Sequence, residues 1–336
     1  MSKLTFLGDV WLPNPCVCAT RFEGQIVLNL ESPITRADQP APGKICLKAE
    51  TNHLLSSFGQ KPLAVCLANN HIMDHGVVGL NDTLAELDRT GIQYFGAGAL
   101  AENCRNPLVL AIGGVRVGML GYVCPSTHPN FVTPVQPGVK RIHLPTIRTD
   151  ISALKSAAVA RIVVMLHWGL EEVHLPRIAD IELARSIIDA GADLIIGHHS
   201  HCIQRHEIYR GRPIFYGLGN CIFPDFGTPD RERNSPSGAW KKQRSWNRES
   251  LAVTWDVASG EIACRGLLFA RDTLKAVPPR TRRLDVDLTN GSRHHYGKQF
   301  AGHVRHMALR LACSRFLANP MLPRARHLRM LFANSL

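Results

Sequence analysis

GADLIIGHHSHCIQ, residues 191–204, stops behaving as an ordinary strand half-way along. Leu194-Ile195-Ile196 is an apolar run of β type, and after Gly197 the chain places His198, His199 and His201 within four positions. Imidazoles are costly to bury without partners. A divalent cation that takes up their lone pairs would offset that cost.

The same pattern recurs along the chain. LTFLG (4–8) runs into Asp9, and IVLNLE (26–31) ends in Asn29-Leu30-Glu31. LAVCLAN (63–69) leads to Asn70-His71 and then Asp74, while RIVVMLHWG (161–169) carries His167 at its end and Glu171 just beyond. These runs are β-branched or Leu-rich and read as buried strands. Gly79–Thr90 and Ile178–Ala190 space their apolar residues at helical intervals. Residues 108–123 read as a hairpin turning at Gly113-Gly114, and 214–223, 251–257 and 262–270 add late strands. Strands alternating with helices predict an α/β layered domain. The five prolines of 124–148 predict a long loop, and the polar, basic stretch 228–250 predicts a mobile excursion between strands.

With 336 residues the chain has room for one large α/β domain or two smaller ones. Its 45% hydrophobic and 20% charged content is that of a soluble globular protein. No run of about eighteen apolar residues is present, and MSKLTFLGDVW lacks the apolar stretch of a signal peptide, so a cytoplasmic location is expected. Ten cysteines without a C-x-x-C pair argue against a zinc finger and for reduced thiols. The net charge of +12 is concentrated at the end: from Arg271 onward 13 Lys/Arg face 3 Asp/Glu, which gives +10. We therefore divide the chain into a domain over 1–272 and a basic, mostly helical extension over 273–336. Such a segment fits an anionic membrane surface, a protein partner or its own domain; without a recognised motif, nucleic acid is the least favoured.

In open α/β sheets ligands bind just beyond the carboxyl ends of the strands. Singly, Asp9 reads as a turn residue, Asn70 as a loop amide and His167 as a satisfied core histidine. Jointly, oxygen and imidazole donors at five strand ends predict one cation-binding pocket. Mixed Asp/Glu, Asn and His donors suit one or two ions of Mn, Fe or Zn.

G-D near the N-terminus, N-L-E, A-N-N-H-x-x-D-x-G, H-W-G-x-E, G-H-H-x-H and F-Y-x-L-G-N-x-I-F follow one another in that order over residues 4 to 270. In this the chain resembles the bacterial capsule-biosynthesis proteins of the CapA type (poly-gamma-glutamate synthesis proteins), relatives of the calcineurin-like metallophosphoesterases. The resemblance implies a four-layer α-β-β-α sandwich of the metallophosphoesterase type. By its motifs Asp9, Glu31, Asn70 and His167 correspond to metal ligands, with Glu31 as the bridge between ions. His201 matches the last ligand, and either His199 or His198 is its partner. His71 corresponds to the residue that contacts the substrate oxyanion or protonates the leaving group, oriented by Asp74. Glu171 reads as an acid/base residue, as a support for one, or equally as a solvated carboxylate.

The chain also departs from the pattern. Phosphoesterases carry Asp-x-His at the first strand, whereas Trp11 stands here in the third position. Ser200, Glu172, Gly217 and Cys221 replace residues common in the family. The resemblance implies a metal-dependent hydrolase that uses metal-activated water on a phosphoryl or glutamyl/amide substrate: a small molecule, a peptide or polyglutamate. The alternative is a non-catalytic accessory protein of polyglutamate or capsule synthesis with a structural or vestigial metal site.

Overall fold

The computed structural model describes residues 2–100, 104–227, 240–286 and 288–318. In chain order its main strands are β1 (Lys3–Val10), β2 (Gln25–Leu30), β3 (Ala64–Cys66), β4 (Gln93–Phe95), β5 (Leu108–Ile112), β6 (Val115–Val123) and β7 (Arg161–His167). They continue with β8 (Leu194–His198), β9 (His206–Tyr209), β10 (Arg212–Phe215), β11 (Asn220–Ile222), β12 (Glu249–Asp256), β13 (Ile262–Ala270) and β14 (Thr273–Val277). The helices are α1 (Leu54–Phe58), α2 (Gly76–Thr90), α3 (Leu144–Ser156), α4 (Ile178–Ala190) and α5 (Asn290–Ala318).

Two sheets result. The first runs β14-β13-β12-β1-β2-β3-β4, with the short Val17–Cys18 strand at the β14 edge and β11 beside β1. The second runs β9-β10-β8-β7-β6-β5. β1 to β4 are mutually parallel, as are β6, β7, β8 and β10, so both sets deliver their carboxyl ends to the same place.

Strand periodicity sorts the side chains into layers. In β7, Ile162, Val164 and Leu166 pack with Ile181, Ala184 and Ile187 of α4 and Ile147, Ile151 and Leu154 of α3. The alternate residues Val163 and Met165 join Phe6, Val27, Leu194, Ile196 and Trp255 in the core between the sheets. Leu80 and Leu87 of α2 cover the other face of the first sheet at Leu7, Leu28 and Val65. Helix, sheet, sheet, helix is the expected four-layer α-β-β-α sandwich.

Two loop expectations need correction. Within 124–148, the helix α3 begins at Leu144, and Pro145, taken as a loop signal, sits in its first turn, where a missing N–H costs nothing. Of the excursion over 228–250, residues 240–250 are built into the fold: Trp240–Lys241 pairs with Phe226–Gly227, Ser245–Asn247 is a 3-10 turn, and β12 follows. Residues 228–239 lie outside the described residues. β14 pairs with β13 across the boundary drawn at 272/273, so sheet pairing continues to Val277. Beyond it, α5 packs on the domain: Tyr296 is buried and its hydroxyl donates to Pro176 O at 2.7 Å. Residues 319–336 lie outside the described residues. All ten cysteines are free. No described helix is long and apolar enough to cross a membrane.

One backbone segment ties the sheets together. Between β10 and β11, Leu218 N–H donates to Gly197 O at 3.1 Å and Asp9 N–H to Gly219 O at 3.0 Å. This crossing requires glycine on both sides. A Cβ on Gly197 would lie 1.9 Å from Tyr216 O, and one on Gly8 would lie 1.9 Å from Gly219 O. Gly197→Ala is therefore expected to destabilise the fold by about 3 kcal/mol or more, read as a lower midpoint in urea unfolding.

Candidate metal centre

The intersheet rows of β7 and β8 continue past their apolar residues. His167 follows Val163 and Met165, and His198 follows Leu194 and Ile196. Opposite them, the pairing of β1 with β2 shifts register between Leu7 and Asp9, which re-aims the end of β1. Asp9 thereby meets the second sheet. Its Oδ1 lies 3.1 Å from His198 Nδ1, and its Oδ2 accepts from His199 N–H at 3.2 Å and lies 3.5 Å from His201 Nδ1. Beyond β8 the chain bends sharply, with His199 at φ 83° and His201 at φ 52°. Both are left-handed, a conformation that side-chain-bearing residues adopt only when held there.

Two groups of donors form. At one, His167 Nε2 lies 2.8 Å from Asn70 Oδ1, 3.1 Å from His199 Nδ1 and 3.5 Å from Glu31 Oε1. Glu31 Oε1 is buried and has no hydrogen-bond partner. Two ring nitrogens and two oxygens thus crowd one volume, and the arrangement leaves Glu31 Oε1 without a bond; a cation would take up all four. At the other, His201 Nδ1 lies 2.8 Å from Asn220 Oδ1 and close to Asp9. Asn29 joins the two, donating Nδ2 to Asp9 Oδ1 at 2.9 Å and to Glu31 Oε2. Asp9, Glu31 and His167 each offer an atom within 4.8 Å of the others.

Burial dominates the electrostatics. It pushes the Glu31 carboxyl well above its ordinary value, and the Asp9 charge adds to this. Burial also raises Asp9, but the hydrogen bond and charge of His198, with help from His201 and Asn29, outweigh it and hold Asp9 low. Burial, reinforced by the neighbouring histidines, drives His167 well below its ordinary value, and burial takes His199 from 6.5 to about 4. Neutral imidazoles are what a metal binds. In metal-free protein the unfolded His199 takes its proton near 6.5 and the folded one only near 4, so stability is complete above 6.5 and lost as pH falls through that interval. The share of the loss that belongs to His199 is expected to be about 3 kcal/mol at most, read as the difference between the parent and His199→Gln in urea melts at stepped pH.

A cleft of about 760 Å³ opens beside these groups, lined among others by Lys44, Asn70, His71, Glu171, Glu172 and Phe223. At its edge His71 Nδ1 lies 2.7 Å from Asp74 Oδ2. Asp74 is buried, accepts from Leu47 N–H at 2.6 Å and pairs through Oδ1 with Lys44 Nζ at 2.5 Å. Lys44 Nζ also donates to Asn70 O at 2.5 Å, so one carboxylate fixes the loop over 41–47, His71 and the backbone of Asn70 together.

Residues 23–225 match the family described as bacterial capsule synthesis protein PGA_cap. The chain belongs to this family. It is 32% identical over 216 residues to the capsule biosynthesis protein CapA of Bacillus anthracis, covering 63% of this chain and 52% of that one. It is 37% identical over 170 residues to the PGA biosynthesis protein CapA of Bacillus subtilis, covering 49% and 43%. This PGA_cap chain thus spans about half the length of the curated relatives it matches. Among solved structures it is similar to a 5'-nucleotidase precursor from Thermus thermophilus, 16% identical, covering 79% of this chain and 53% of that one, with a TM-score of 0.41.

In this PGA_cap protein the structure brings Asp9, Glu31, Asn70, His167, His199 and His201 into one buried neighbourhood. His198 takes a different place. Its Nδ1 faces Asp9, while His199 Nδ1 is the nitrogen beside His167. His71 and Asp74 form the expected pair at the cleft. Glu171 is exposed on the cleft wall, and its charge acts on both Glu31 and His199. Trp11 is no donor to the site: its Nε1 donates to Lys48 O at 2.9 Å, and its ring packs on Phe223 at 5.3 Å. Sequence reasoning missed Asn29, Asn220 and Lys44. Asn29 was legible, since it shares a strand face with Glu31, and Asn220 stood inside a quoted motif. Lys44 left no signal in its surroundings.

Proposed function

We propose that this PGA_cap chain is a divalent-metal-dependent hydrolase acting on a phosphoryl or glutamyl/amide substrate. The observation that carries the reading is the convergence of Glu31, Asn70, His167 and His199 on one buried volume, with Glu31 Oε1 left unpartnered. These residues would hold one cation. Asp9, His201 and Asn220, with Glu31 between, would hold a second. Carboxylate, amide and imidazole donors fit Mn, Fe or Zn. When bound, such an ion supplies Lewis acidity and a water acidic enough to attack at neutral pH.

The chain's own residues contribute the remaining chemistry. Asp74 takes the Nδ1 hydrogen of His71, which fixes the ring and leaves Nε2 to exchange a proton with the leaving group. Lys44 and Leu47 N–H anchor Asp74 so that it cannot turn away. Metal analysis of protein purified without chelators or a histidine tag, followed by turnover of a phosphodiester and a gamma-glutamyl amide with added Mn, tests the proposal. The expected result is bound metal and turnover of one substrate class; protein that takes up no Mn, Fe or Zn would overturn it.

A specific observation favours a second reading. Trp11 packs its apolar ring where phosphoesterases place a histidine. That substitution would suit an accessory protein of polyglutamate synthesis whose metal is structural. Bound metal without turnover of either substrate would decide for this reading.

A further inference from the structure

His199 and His201 occupy left-handed backbone, so something must hold the loop they share. Its carbonyls show what does. Ser200 O accepts from Glu172 N–H at 2.8 Å, and His201 O accepts from the buried Asn247 Nδ2 at 2.8 Å. Glu172 is itself left-handed, at φ 64°, and almost wholly buried. Its carboxylate accepts Trp246 Nε1–H at 2.5 Å and lies 3.5 Å from Arg244 Nη1. The ring of Trp246 lies under two guanidinium groups, Arg244 at 5.5 Å and Arg310 of α5 at 4.7 Å. α5 grips the same region further along, where its His303 Nε2 accepts from His174 N–H at 3.2 Å.

We propose that the Ser245–Asn247 turn, backed by α5, is a clamp that positions the metal-binding loop over His199–His201. Asn247 holds the loop directly, and Trp246 holds it through Glu172. Arg310 steadies Trp246, so the C-terminal helix sets how firmly the cation is gripped. None of these clamp residues, apart from Glu172, lies in the span that matches the family. The inference rests on the metal reading of the site. Asn247 and Trp246 are positioning residues: neither is placed among the metal's own donors.

The test uses cobalt as the metal probe and the full-length chain. Asn247→Ala is expected to weaken cobalt binding by about ten- to a hundred-fold, the range for residues that orient a ligand, and to shift the visible ligand-field band. Arg310→Ala, at an exposed position, should weaken binding by about two- to five-fold, and Trp246→Phe should fall between the two. The control is Asp193→Ala. Asp193 holds Ile162 N–H at 2.8 Å at the opposite ends of the strands, so its loss should lower the melting temperature and leave cobalt binding and the band unchanged. Hydrogen exchange at His199–Cys202 in metal-free protein reads the clamp without any ion and should speed up in Asn247→Ala. Unchanged binding and exchange in Asn247→Ala, or an Asp193→Ala effect of equal size, would overturn the clamp. A parent chain that takes up no cobalt would sink the metal reading alone, because exchange still judges the clamp.

Discussion

His71→Ala is expected to lower turnover by about 10²- to 10⁴-fold while the bound metal stays in place. The range is that of a positioned general acid, and the sparing of the metal follows from geometry. His71 binds Asp74 through Nδ1, and it is Asn70, not His71, that meets His167. Removing the imidazole leaves Glu31, Asn70, His167 and His199 where they are. Asp74 retains Lys44 and Leu47 N–H, so the carboxylate is not stranded. Metal content by elemental analysis beside initial rates checks both halves. Loss of metal together with activity would make His71 a support of the cluster instead of a proton donor.

The second large effect lies in the cluster itself. His167→Ala should weaken metal binding by more than about 100-fold, because residues that merely orient a ligand already cost up to that much. His167 Nε2 is the atom on which the amide, the second imidazole and the carboxylate all converge. His199→Ala should come close to it, and His198→Ala should fall well short, since His198 turns Nδ1 to Asp9 and supports the site from behind. Titration with manganese or zinc under one set of conditions ranks the three. Equal losses in His198→Ala and His199→Ala would show that His198 also supplies a ligand atom.

Much of this was readable in the chain before any coordinates. The β7 run alternates between two apolar environments, and the histidine that breaks it keeps the register, so both the layer and the direction of His167 follow from period two. The choice between His198 and His199 did not follow. It depends on a bend at φ 83°, and no local pattern announces a left-handed histidine. Pro145 misled because proline marks both loops and first helical turns. The stretch over 240–250 misled because its polar residues serve partners distant in sequence, with Asn247 bonding to His201 and Trp246 to Glu172. Lys44 lay beyond reach for the same reason: its partners stand 26 and 30 positions away, at Asn70 and Asp74.

The Tyr216–Asn220 crossing has a consequence for how such a site can diverge. Asp9 belongs to one sheet and His198 to the other, and main-chain hydrogen bonds from this single segment reach Asp9 and Gly197, the neighbour of His198. The two halves are thus joined by peptide geometry as well as by the apolar filling between the sheets. A change in this architecture that shifted the segment would alter the gauge of the candidate site, whatever happened to the oily side chains around it. The three glycines at 8, 197 and 219, where an added Cβ would run into a backbone carbonyl, are the letters this architecture cannot respell.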